Sequence, residues 1–176
     1  MIESLITSKT RIKLLLKFFL NSQTKSYLRS LETEFGESTN SIRVELNRLE
    51  NAGLLDTVLV GNKKMFFANT LHPLFDDINN ILRKYIGIDQ IIEKITSQIG
   101  ELNSAYLTGD FAIGKDSEII DLALIGDHLD RFRIESLVEK AESHINRRIK
   151  CIILSKEEML QFYSNKPALL IWKSDK

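Results

Sequence analysis

The sequence predicts an α+β protein in two parts: a helical first half ending in a basic β-hairpin, then a second half in which strands and helices alternate over a mixed sheet. Three observations predict it. Apolar residues recur at helical spacing through Thr10 to Leu20 and again from Ser38 to Gly53. Gly61-Asn62, a dipeptide that tolerates the positive φ of a tight hairpin, separates two short extended runs. From Leu102 onward, short apolar runs alternate with helical patterns.

Taken in order, Ser8 precedes a helix from Thr10 to Leu20 whose Ile12, Leu15, Leu16 and Phe19 form one apolar stripe. Tyr27-Leu28 is an extended start to a second helix, Leu28 to Phe35, which Gly36 closes with a left-handed turn. Ser38 or Thr39 caps a third helix, in which Ile42, Leu46 and Leu49 face a core. The opposite face carries Thr39, Asn40, Ser41, Arg43, Val44 and Asn47, hydrogen-bonding groups with one cation and one methyl-bearing side chain that suit base edges and phosphates in a major groove. Gly53 stops this helix, Leu54 to Val60 reads as a strand, and Lys63 and Lys64 sit on the return strand beside the turn. A helix followed by a basic hairpin is the winged helix-turn-helix arrangement, which implies duplex DNA as partner.

The stretch from Ser8 to Leu55 resembles the ArsR-type winged-helix repressors, especially a branch whose winged helix precedes a nucleotidyltransferase-like domain. Its most recognisable part is Leu46 to Leu55, L-x-R-L-E-N-A-G-L-L, where such domains pass from recognition helix to wing. The resemblance implies a DNA-binding transcriptional regulator.

Charge qualifies that expectation. The 176-residue chain has 24 Lys+Arg and 24 Asp+Glu, so it lacks the basic balance of many nucleic-acid binders. Residues 1–87 hold 12 basic and 9 acidic side chains, leaving 12 and 15 for 88–176, a modest asymmetry of the right sign. Glu45 and Glu50 on the third helix, with Glu32, Glu34 and Glu37 ahead of it, are expected to limit non-specific affinity and make binding depend on a dimer. One cysteine forbids an internal disulfide, and the apolar run Leu14 to Leu20 is short and contains Lys17. Neither a membrane span nor a signal peptide is expected, and the location expected is cytoplasmic.

His72-Pro73 marks a boundary. A helix from Pro73 carries Leu74, Ile78, Ile81, Leu82 and Tyr85 on a broad apolar face, and Asp89 to Ile99 carries Ile91, Ile92, Ile95 and Ile99. These faces, with that of Thr10 to Leu20, exceed what one small winged helix buries, which predicts a homodimer. The expected organisation is a DNA-binding domain over 1–72, linking and dimerisation helices over 73–100, and a third segment over 101–176.

In that segment Ser104 to Leu107, Ile119 to Ile125, Ile149 to Leu154 and Ala168 to Trp172 read as strands, and Arg131 to Ile145 and Lys156 to Tyr163 as helices. The run from Tyr106 to Gly126 resembles the minimal nucleotidyltransferase fold, whose signature is a Gly-Ser turn after the first strand and an Asp-x-Asp pair on the second. Gly109 matches the glycine and Asp121 the second carboxylate, but Asp110 replaces the serine and Ile119 the first carboxylate. The third carboxylate is expected on Ile149 to Leu154, which has none. A lone Asp121 cannot hold two divalent ions, and Asp110 puts negative charge where a triphosphate would pass. The expectation is therefore a degenerate site with no catalytic residue, metal or cofactor, in a domain kept for dimerisation or for an effector or protein partner.

Gly109 to Lys115 also has the G-x-x-x-x-G-K spacing of a phosphate-binding loop. However, Asp116 stands where Ser or Thr would reach Mg²⁺, and a strand rather than a helix follows. His72, His128 and His144 are isolated, and Cys151 reads as a small buried hydrophobe. The two alternatives to the regulator are a nucleotidyltransferase with a displaced site and a protein-interaction module that does not bind DNA.

Overall fold

In a computed structural model, all residues are described except Met1, Ser97, Gln98, Gly100, Asn146, Asp175 and Lys176, together with the side chain of Glu3. The chain divides into two compact units, Met1–Tyr85 and Ile86–Lys176.

The first unit begins with α1 (Ile2–Leu5), which the sequence reading did not anticipate, and α2 (Lys9–Leu15), whose cap Ser8 accepts from the Arg11 amide. The expected single helix to Leu20 changes pitch: Leu16–Leu20 is a π-helical turn. Leu14, Leu16, Phe18 and Phe19 are all fully buried, so apolar residues lie on every side of this segment and not on one stripe. A two-residue strand β1 (Ser26–Tyr27) leads to α3 (Leu28–Phe35), closed by Gly36 at φ 63°. Ser38 then caps α4 (Thr39–Asn51), which buries Ile42, Leu46 and Leu49 as expected. β2 (Leu55–Val60) and β3 (Lys63–Ala68) form the hairpin, and β1 pairs antiparallel with β3, giving the order β1-β3-β2.

Ion pairs stitch the first-unit helices together. Arg11 Nε donates to Glu45 Oε2 at 2.8 Å, Lys13 Nζ to Glu37 Oε1 at 2.6 Å, and Lys17 Nζ to Glu34 Oε2 at 2.8 Å. Arg48 Nη1 lies 3.1 Å from Glu45 Oε1, and Thr10 Oγ1 donates to Glu37. Glu45, expected to limit non-specific affinity from the third helix, is buried and neutralised by two arginines. Burial pushes its carboxyl up, but the hydrogen bond and positive charge of Arg11 outweigh this and hold it below the ordinary carboxylate value. Glu37 is lowered in the same way by Lys13 and Thr10.

After α5 (Phe75–Ile86), the second unit contains α6 (Ile88–Thr96), β4 (Glu101–Thr108), α7 (Gly109–Ala112), β5 (Ile119–Asp127), α8 (Arg131–Glu142), β6 (Arg148–Leu154), α9 (Lys156–Tyr163) and β7 (Leu169–Lys173). The helix expected over Asp89 to Ile99 is described as far as Thr96, and Ser97 and Gln98 fall outside the described residues. The sheet order is β6-β5-β4-β7, parallel between β5 and β6 and antiparallel elsewhere, so the mixed sheet and the α+β class are as expected. The antiparallel β4–β5 link is short, whereas the parallel β5–β6 link requires the α8 crossover. Leu107, Ile120, Leu122 and Leu124 are buried along the two central strands. The helix faces expected to join two subunits are largely buried: Ile12, Leu15, Leu82, Ile91, Ile92 and Ile95 are inaccessible, Ile78 and Tyr85 are partly buried, and Leu74 and Ile81 stay half-exposed. Among the described residues no helix is long and apolar enough to cross a membrane.

Candidate functional site

Two places gather the residues singled out from the sequence. In the first unit, Arg43, Asn47, Lys63 and Lys64 line a cleft of about 520 Å³, together with Tyr27, Arg29 and Phe66. Asn40, Ser41 and Val44 are exposed on the same helix but do not line it, and Thr39 is half-buried at the helix start. Lys63 Nζ sits 4.4 Å from the centre of the Tyr27 ring, and Lys64 pairs with Glu50 at 2.7 Å. Ser41 Oγ lies 3.1 Å from Thr10 Oγ1. Several groups expected to meet DNA therefore already have partners within the chain.

The second place is the turn from β4 into β5. Gly109 has φ 61°, a left-handed conformation that disfavours a side chain. A Cβ built there would meet Asp121 Oδ2 at 2.5 Å, so the absence of a side chain is what allows the carboxylate to lie against the turn. Register explains how they meet: Thr108 pairs with Asp121 across β4–β5, and the Thr108 hydroxyl donates to the Asp121 carbonyl at 3.4 Å.

Three cations lie on the elements around this turn. Lys150 pairs with Asp121 across the parallel β5–β6 ladder, which puts both side chains on one face of the sheet. That strand is where a further carboxylate was expected. Lys115 Nζ lies 3.3 Å from Asp110 Oδ1. Asp110 was expected to repel phosphate uncompensated, and the loop corrects this by folding Lys115 back onto it, because Gly114 and Lys115 close turns on Phe111 and Asp110. Beneath the loop, Arg147 stacks on Phe111 with 5.2 Å from its guanidinium carbon to the ring centre and donates to the Ser117 carbonyl. Its Nη1 is 2.9 Å from Asp116 Oδ1, poorly aligned for a hydrogen bond, so that contact is one of charge. The four-residue α7 is too short to present a helix terminus to an anion. Among the described residues no three His, Cys, Asp or Glu side chains converge.

Sequence reasoning found Gly109, Asp110 and Asp121, set Lys115 aside, and missed Lys150 and Arg147. Lys115 was legible as the last residue of G-x-x-x-x-G-K. Lys150 and Arg147 enter through strand register and a long-range ion pair, which carry no local signal.

No protein-family model and no curated protein matches the chain. Solved structures similar to it include a mutant form of the toxin–antitoxin MntA–HpeT, at 22% identity over 50% of this chain and 73% of that one, TM-score 0.41. Another is a candidate nucleotidyltransferase from Sulfolobus solfataricus, at 21% identity over 56% of this chain and 88% of that one, TM-score 0.41. Neither is described as a transcriptional regulator. On that finding the expectation of a non-enzymatic, DNA-binding, ArsR-like transcription regulator is corrected.

Proposed function

We propose that the chain is a nucleotidyltransferase-type enzyme whose second unit takes a nucleoside triphosphate against the Gly109 turn, while the first unit, winged-helix in shape, holds a partner or acceptor. The observation that carries this reading is the contact between the side-chain-free Gly109 and the Asp121 carboxylate, which brings backbone and anion together at an open strand end.

The chemistry is displacement at the α-phosphorus. An acceptor hydroxyl gives its proton to solvent as its oxygen bonds to that phosphorus, the bond to the bridging oxygen breaks, and diphosphate leaves with the electron pair. Lys150 supplies positive charge for the phosphate oxygens, and Lys115 offsets the charge of Asp110. Mg²⁺ is commonly held by one or two carboxylates plus substrate phosphates and waters, so Asp121 fits one ion entering with the nucleotide and does not fit a two-ion site. When bound, that ion supplies neutralisation of the phosphate charge.

Calorimetry of the full chain with ATP and Mg²⁺, followed by a diphosphate-release assay, tests the reading. Metal-dependent binding is expected, weakened about 10–100-fold in Asp121→Asn by loss of a charge-assisted contact. Absence of metal-dependent heat in the folded protein with every nucleoside triphosphate sinks the proposal.

A further inference from the structure

We propose that the first-unit cleft is a binding site for a free nucleoside monophosphate, held without metal, with its phosphate on Arg29 and Arg43 and its base over the apolar floor. The cleft of about 520 Å³ lies within the range of roughly 300–1,000 Å³ common to small-molecule sites. That volume suits one nucleotide, whereas strand-binding domains engage roughly 4–16 nucleotides in succession. This site goes beyond the chemistry of the second unit, since it needs neither a divalent ion nor turnover.

Charge points to the phosphate. No acidic side chain lines the cleft, while Arg29, Arg43 and Lys63 do, and all three are exposed. Elsewhere in this unit cations are spent on the chain's own carboxylates: Arg11 and Arg48 on Glu45, Lys13 on Glu37, and Lys17 on Glu34. Lys64, on the rim of the cleft, is likewise held by Glu50. The guanidinium groups of Arg29 and Arg43, by contrast, form no hydrogen bond or ion pair among the described residues. Lys63 is fixed over the Tyr27 ring, which positions its charge without neutralising it. A guanidinium presents its donors as a planar fork that meets phosphate oxygens two at a time, so two forks beside one ammonium match a phosphate dianion.

The floor selects what that phosphate is attached to. Leu46 and Phe66 are buried beneath the exposed cations, and Leu28 is half-buried beside them. A sugar phosphate would set hydroxyls against this apolar carbon, whereas every base has a flat π-face that covers it. Asn47 and Asn62 are exposed along the same cleft, and their side-chain amides have no partner among the described residues. Each offers donors and an acceptor together, the mixture that a base edge presents in return.

Equilibrium dialysis of the full chain against AMP, GMP, CMP and UMP in EDTA tests the proposal. Saturable binding of at least one is expected, weakened roughly tenfold or more by Arg29→Ala and by Arg43→Ala, as expected for loss of a charged hydrogen-bonding group. Both positions are exposed, and circular dichroism checks that each variant folds like the parent. The matching nucleoside and inorganic phosphate are each expected to bind at least about tenfold more weakly than the nucleotide, a comparison that needs no variant. Four results overturn the proposal: no saturable binding of any of the four nucleotides at millimolar concentration, binding indifferent to both arginine variants, inorganic phosphate binding as well as the nucleotide, or a 5′-phosphorylated oligonucleotide binding more tightly. Divalent metal is absent throughout, so failure here is distinct from failure of the metal-dependent enzyme reading.

Discussion

Gly109 and Asp121 show what one missing Cβ does. The glycine sits at φ 61° and leaves room for a carboxylate that a Cβ would strike at 2.5 Å. Gly109→Ala combines left-handed strain with that clash, and a loss of about 1–2 kcal/mol is expected from the backbone alone. Urea unfolding measures that loss, and nucleotide titration of the still-folded variant measures the site. Binding is expected to fall by more than the stability change accounts for, because Asp121 must move. A variant that binds nucleotide like the parent separates the turn from the carboxylate and removes the main support for the site. Asp110 teaches a complementary lesson. Its charge looked prohibitive as an isolated letter, and five residues later the chain supplies Lys115 to offset it.

At the scale of elements, legibility followed the range of the interaction. Ser38 capping α4, Gly36 ending α3, and the burial of Ile42, Leu46 and Leu49 are set within one or two turns of chain, and the sequence pattern announces each of them. The π turn at Leu16–Leu20 was invisible because it depends on what surrounds Phe18 and Phe19. The candidate site divides the same way: the Gly109 turn and Asp121 were readable, whereas Lys150 beside Asp121 depends on a parallel register set by α8. Lys17 lies in the π turn, nearly buried, and its ammonium reaches Glu34 of α3. Lys17→Met keeps the apolar stem but strands a half-buried carboxylate, and a cost of about 3 kcal/mol is expected. Chemical denaturation followed by circular dichroism measures it; a neutral effect would mean that the pair contributes nothing net to helix packing.

On the scale of the whole chain, the two units differ in how they depend on acid. Glu37 and Glu45, both in the first unit, have carboxyls held below the ordinary value of 4.5 in the folded state. Their contribution to stability is present above 4.5 and is lost as pH falls through the lower folded values. Among the described residues of the second unit, the carboxyl held low is that of Glu157, which is fully exposed at the start of α9. The first unit is therefore expected to lose its structure at a higher pH than the second. The single tryptophan, Trp172, lies in β7 and reports the second unit alone, while far-ultraviolet circular dichroism reports both. On acidification the dichroism should change before Trp172 fluorescence does. Coincident transitions would show that the two units unfold together.

The pairing of β7 with β4 has a consequence for how the protein is made. β4 is the first and β7 the last of the described strands in the second-unit sheet, so the ladder from Ser104–Leu107 to Leu169–Lys173 closes a loop spanning most of that unit. On the ribosome the first unit emerges before the second and is free to fold, while β4 waits with one flank uncovered until β7 has left the exit tunnel. Synthesis rate and chaperone access during that wait bear on the second unit alone, and a fusion placed directly after Lys173 would burden the strand that completes it.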